Sequence, residues 1–97
     1  MVEVVNIRSC SPRWGQPGDV KIDRTTSWGN PFFMHNESER DAVCDAYALY
    51  IMRMLKDGHL DISELFTAKR LGCWCKPKRC HGDFLKKLIE DDKYDNS

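Results

Sequence analysis

Ninety-seven residues carry fifteen Lys and Arg against fifteen Asp and Glu, a formal net charge of zero. A chain this short buries only roughly 60 to 65% of the surface that its unfolded form exposes, room enough for one core and a single domain over residues 1–97. The charge balance excludes a global pull toward nucleic acid or anionic membrane, so no strong general nucleic-acid binding is expected and any basic recognition has to be local.

Glu3, Asn6 and Arg8 interrupt the first residues, which leaves no apolar core for an export signal, and no run approaches the roughly 20 apolar residues of a membrane span. The expectation is a soluble, cytoplasmic protein with no membrane partner. Five cysteines, an odd number without an export signal, then read as reduced thiols that bind metal or react.

Val2, Val4, Val5 and Ile7 form a β-branched run that predicts a buried strand, with Asn6, Arg8 and Ser9 at its carboxyl end. Two prolines and two glycines between Cys10 and Asp19 predict a mobile loop. Val20 to Asp23 alternates as a short half-exposed strand does, and Arg24 follows it. In Ser27 to Phe33, Pro31 pushes Asn30 toward extended geometry, so the segment predicts a rigid turn presenting Trp28 and Asn30.

Asn36 with Glu39 three residues on has the form of a capping box, and Val43, Tyr47, Tyr50, Ile51, Met54 and Leu55 repeat on one face. A helix is expected from Asn36 to Leu55, closed by Gly58. Asp61 to Glu64 repeats the capping pattern and predicts a second, shorter helix to about Lys69. Leu71 to Cys75 reads as a central strand, with Cys73 and Cys75 facing one side and Trp74 packing on the other. Lys76 to Arg79 is the turn out of it. Phe84, Leu85, Leu88 and Ile89 then predict a last helix from His81–Asp83, fraying into a polar tail from about residue 91. These elements give an α/β domain with a short, mostly parallel sheet of about three strands and three helices.

Cys73, Cys75, Cys80 and His81 offer four metal donors within nine residues, the number that a closed tetrahedral zinc site takes. The spacing is not that of a standard finger, and the adjacent Cys80 and His81 would have to reach one ion from neighbouring positions. Because ligands of open parallel sheets bind beyond the carboxyl ends of strands, the same block has two other readings. One is an active site with Cys80 as nucleophile and His81 as proton carrier. The other is a phosphate pocket in which the start of the last helix joins Arg8, Arg24 and Lys76.

Val4 to Arg8, Asp23-Arg24, Trp28-Gly29-Asn30-Pro31-Phe32, Leu71 to Pro77 and Cys80-His81-Gly82-Asp83 together resemble the small bacterial and bacteriophage family catalogued as domain of unknown function 4326. The likeness runs from Val4 to about Ile89, with the Gly-Asn-Pro and Cys-His-Gly blocks intact. The cysteine-histidine block also resembles that of domain of unknown function 488, at the level of fold alone. Neither likeness implies an activity, but hallmarks that are polar and reactive favour a site made of Arg8, Arg24, Trp28, Asn30, Cys73, Cys80 and His81. The expected ligand is small, anionic and nucleotide- or nucleoside-like, with cations for phosphate, Trp28 for stacking and Asn30 for hydrogen bonds. The alternative is a zinc-stabilised interaction module, a phage protein acting on a host protein.

Overall fold

The computed structural model describes residues 2–76 and 78–95, with side chains to residue 91; Met1 of the expected first strand, Pro77 of the expected turn and residues 96 and 97 of the expected tail lie outside the described residues. Three strands, β1 (Glu3–Asn6), β2 (Asp19–Lys21) and β3 (Arg70–Cys73), form one parallel sheet in the order β1-β3-β2. Two helices complete it, α1 (Arg40–Lys56) and α2 (His81–Asp95). β3 is central and buried along its whole length, as its apolar composition predicts.

The register places Val4 and Val20 beside Leu71, and Val5 and Lys21 beside Gly72. Side chains alternate along a strand, so Val4, Leu71, Cys73, Val20 and Ile22 share one face. α2 lies on that face and α1 packs against α2, so the last helix is the sheet's direct cover. Tyr47, Ile51, Leu65, Leu71, Leu85 and Ile89 join in one core behind them.

The capping box forms as read. Asn36 accepts from the Ser38 amide at 3.1 Å, and the Glu39 carboxylate reaches back to the Asn36 amide at 3.3 Å. The first turn, Glu37–Glu39, is a 3-10 helix that runs directly into α1. The expected helix from Asp61 to Lys69 is instead a single 3-10 turn, Ile62–Leu65, so among the described residues there are two α-helices and not three. Asp61 does cap it, accepting from the Ser63 amide at 3.0 Å. The segment ends after one turn because Lys69 is already committed to the sheet, its amide donating to Gly18 at 2.8 Å and its carbonyl accepting from Glu3 at 3.0 Å.

The other face of the sheet carries Arg70 and Gly72 and is covered by the proline- and glycine-containing loop. A Cβ at Gly72 would stand 2.3 Å from the Trp14 ring and 2.7 Å from Ile7 Cγ1, so the missing side chain is the space these two occupy. Arg70 holds the loop directly: Nη1 donates to the Pro12 carbonyl at 2.8 Å, while Nε and Nη2 grip the Asp19 carboxylate at 2.7 Å each. Asp19 in turn accepts the Gly15 and Gln16 amides at 2.9 and 2.8 Å. The sequence reads this segment as mobile; the structure fixes it through one buried ion pair.

Among the described residues no helix is long and apolar enough to cross a membrane. All five cysteines are free thiols.

The Arg70 guanidinium, then burial in opposition, then the loop amides hold the Asp19 carboxyl far below the usual carboxylate range. A carboxylate with a depressed folded pKa binds fewer protons folded than unfolded. Its contribution is therefore present above an unfolded value of about 3.9 and is lost as pH falls toward the folded one. Wild-type stability is expected to decline below about pH 4, whereas Asp19→Asn, already weaker at neutral pH, should show a shallower decline. Urea denaturation at several pH values checks this.

Candidate functional site

A cavity of about 360 Å³ opens beyond the carboxyl ends of β2 and β3. Three segments wall it. Asp23, Arg24, Thr25, Asn30 and Phe32 come from the stretch after β2; Arg40, Val43 and Cys44 come from α1; Cys73 to Cys75 and Arg79 to His81 come from the connection between β3 and α2. It sits where ligands of parallel sheets are usually held, at strand ends beside a helix start.

The turn after β2 is built by close approach. A Cβ on Gly29 would lie 2.3 Å from the Asp23 carbonyl oxygen and 2.6 Å from Arg24 Cα, so only glycine lets the Trp28-Gly29-Asn30 turn lie on the strand end. Tyr47 of α1 locks it from behind by donating its hydroxyl to the Trp28 carbonyl at 2.6 Å. Asn30 accepts from the Phe32 amide at 2.9 Å and donates to the Val43 carbonyl at 3.4 Å, tying the turn to α1 at the cavity wall.

The connection between β3 and α2 is held from both sides. Asn6 donates to the carbonyls of Trp74 and Lys76 at 3.3 and 2.9 Å. Across the cavity, Arg79 bridges Asp41 at 2.9 Å and Asp45 at 3.0 Å, and Lys78 meets Glu37 at 3.0 Å. Arg40 pairs with Glu37 through two bonds of 2.8 and 2.9 Å and donates to the Arg79 carbonyl at 2.9 Å. The contacts from Arg40 and then Lys78 bring the Glu37 carboxyl down to about 2.

Cys73, Cys75 and Cys80 line the cavity together. The neighbouring Cys73 and Cys80, and after the opposing effect of burial the Arg40 guanidinium, push Cys75 below the ordinary thiol range. Cys80 is pushed strongly the other way, by Cys73 and Cys75 first and by burial next. Cys73 is raised by its contact with Cys75, against a lowering contact with Cys80, and by burial. The helix start does act on Cys80, whose sulfur accepts from the Gly82 amide at 3.4 Å, but the neighbouring thiols outweigh it.

His81 is turned by its far nitrogen. Nε2 lies 2.6 Å from the Ile22 carbonyl, which can only accept, so Nε2 donates to it, while Nδ1 faces Cys80 Sγ at 3.7 Å. Tyr47 braces the ring edge-on, with centroids 4.9 Å apart. Among the described residues no group of three or more His, Cys, Asp and Glu is arranged to hold a metal ion.

Of the residues expected at one site, Arg24, Asn30, Cys73, Cys75, Cys80 and His81 line the cavity together. Three do not. Arg8 is exposed beyond β1, and the central strand β3 separates that strand end from the cavity on the β2 side. Lys76 turns away to Asp83, 2.5 Å from its carboxylate. Trp28 is 5% exposed and belongs to the core. Its place is taken by Trp74, which is 50% exposed at the cavity and donates its indole N–H to Asp23 at 3.0 Å. β3 ends at Cys73, so strand alternation does not carry on to send Trp74 into a helix as the sequence suggests. Arg40 and Arg79 are further cations that the sequence reading left out of the site; the signal available was the run of Glu37, Asp41 and Asp45 along one side of α1, which calls for basic partners.

A family model described as Domain of unknown function (DUF4326) matches residues 5–91. An uncharacterized 12.4 kDa protein of the nrdA-td intergenic region of Enterobacteria phage T4 is 36% identical over 80 residues, 76% of this chain and 73% of that protein. An uncharacterized protein of Acanthamoeba polyphaga mimivirus is 38% identical over 81 residues, 72% of this chain and 58% of that protein. No solved structure matches.

Two substitutions test how the turn is held. Tyr47→Phe leaves the buried Trp28 carbonyl without its donor and should destabilise the domain by about 1 to 3 kcal/mol. Gly29→Ala drives a methyl into strand-end backbone and should cost about the same or more. Urea unfolding midpoints measure both, and unchanged midpoints would show that the turn is not under this constraint.

Proposed function

We propose, from the premise that this chain belongs to the family DUF4326, that it binds a small anionic, nucleotide- or nucleoside-like ligand in the cavity at the ends of β2 and β3. The observation that carries this reading is the joint presence of a half-exposed indole, Trp74, and the cations Arg24, Arg40 and Arg79 around a single cavity of about 360 Å³. Indole supplies a flat apolar surface for a base, and guanidinium groups meet phosphate through two-pronged, charge-assisted hydrogen bonds.

The three cations differ in what already engages them. Arg79 and Arg40 are spent largely on carboxylates of α1 and its leading turn. Arg24 makes a hydrogen bond to the Phe32 carbonyl at 3.3 Å and stacks over the Phe33 ring at 4.1 Å, contacts that leave its remaining N–H donors for a ligand. Arg24 therefore takes the phosphate and Trp74 the base. Asn30, whose oxygen and one N–H are engaged, shapes the wall and offers its second N–H.

A calorimetric and thermal-shift screen against nucleotides, nucleosides and sugar phosphates tests the reading. Arg24→Ala should weaken binding of a phosphate-bearing ligand by about 1.5 to 3 kcal/mol without changing the unfolding midpoint. Trp74→Ala should weaken nucleosides and nucleotides alike. If no ligand of these classes raises the melting temperature, the binding reading fails; if chelation lowers it instead, the zinc-stabilised interaction module takes its place.

A further inference from the structure

Among the described residues five large apolar side chains stand exposed. Phe32 and Trp74 line the cavity, and the Arg24 guanidinium lies over the Phe33 ring at 4.1 Å. Leu49 and Met52, 76% and 52% exposed, belong to neither group, and both stand on α1. The side of α1 turned to the core is filled by Cys44, Tyr47 and Ile51. At about 100° per residue Leu49 points almost directly away from that side, so α1 is apolar on two opposite faces, one buried and one exposed.

The outer face carries an ordered charge pattern. Ala42, Asp45, Leu49, Met52, Arg53 and Lys56 are all exposed, and all fall within about 60° of Leu49 around the helix axis. The acid stands toward the amino end, the two cations toward the carboxyl end, and the apolar pair between them. A face with this order is complementary to itself when reversed. With two copies of α1 antiparallel about a twofold axis at Leu49, Asp45 meets the partner's Arg53, Ala42 meets the partner's Lys56, and the two Leu49 side chains meet each other. The helix dipoles then run in opposite directions, and no like charges are set face to face.

Both members of the new ion pair are available for it. Arg79 takes one oxygen of Asp45, Oδ1, at 3.0 Å, and the Asp45 side chain is 71% exposed. Arg53 lies 3.9 Å from Asp57, beyond hydrogen-bond reach, and its side chain is 85% exposed.

We propose that the outer face of α1 is a self-association surface, on which a second copy of this chain packs antiparallel to form a twofold dimer. The inference is independent of the ligand reading, since none of these six residues lines the cavity.

Sedimentation equilibrium from about 10 μM to about 1 mM should show a reversible equilibrium between monomer and dimer. Leu49→Glu removes the central apolar contact from both copies and should weaken the dimer by about a hundredfold or more. Asp45→Arg and Arg53→Glu each set like charges together and should be monomeric where the wild type dimerises. The double variant Asp45→Arg/Arg53→Glu exchanges the charges, and it should dimerise with itself but not with the wild type; in a parallel contact the opposite would hold. A wild type that stays monomeric at about 1 mM, a dimer that survives Leu49→Glu, or a double variant that pairs with the wild type and not with itself would overturn the proposal. In the first case the face is left to an unlike protein. Should the Asp45 variants fail to fold through loss of the Arg79 contact, Ala42→Glu decides. Facing the partner's Lys56, it should tighten the dimer about two- to fivefold for each new pair, and a loosened dimer would overturn the antiparallel contact equally.

Discussion

The ion pair between Arg70 and Asp19 is the constraint from which the rest of the molecule follows. The two residues are the first of β3 and β2 and face each other across the ladder, with 9% and 3% of their side chains exposed. A short parallel sheet is weakly specified by its own hydrogen bonds, and a slip of one residue would send every side chain to the wrong face. A bidentate pair with both partners otherwise satisfied by loop amides and carbonyls allows one register only. Charges this sheltered are tolerated because every polar atom has a partner; among the described residues no buried side-chain nitrogen or oxygen lacks one.

Register then dictates chemistry. With Asp19 opposite Arg70, Val20 and Ile22 turn toward α2, and the Ile22 carbonyl falls where it fixes the His81 ring. The same register brings Asp23 beside the end of β3, where it anchors Trp74. The cavity is a product of strand alignment at one end of the sheet, transmitted through backbone atoms, and the loop of residues 10–18 fixes that alignment from the face away from the cavity.

What could be read in the sequence was what local chemistry decides. The Asn36 capping box, the long helix, the central apolar strand and the last helix depend on neighbours a few residues apart, and they form close to where the pattern places them. The short helix after Asp61 failed because a distant constraint, the capture of Lys69 by the sheet, left it a single turn. At the site, the residues on strand ends and at the helix start could be anticipated from topology. Trp28 is expected to be presented by its turn and Trp74 to pack from a strand, and the reverse holds because the Tyr47 hydroxyl ties the Trp28 turn to the core while the Asp23 carboxylate holds Trp74 at the cavity. The roles of Arg40 and Arg79 depend on α1 meeting the loop after β3, a long-range contact that spacing alone does not encode.

The three tryptophans occupy three separate physical environments. Trp28 is in the core, Trp74 stands half in solvent at the cavity, and Trp14 lies over Gly72 on the loop-covered face near the Arg70 guanidinium. Indole emission shifts to longer wavelength with solvent contact and is quenched by nearby thiols and cations, so the protein carries intrinsic fluorophores that divide the molecule among them. Variants that keep one indole at a time would let a single spectrometer follow the core, the cavity and the loop-bearing face separately, without any label.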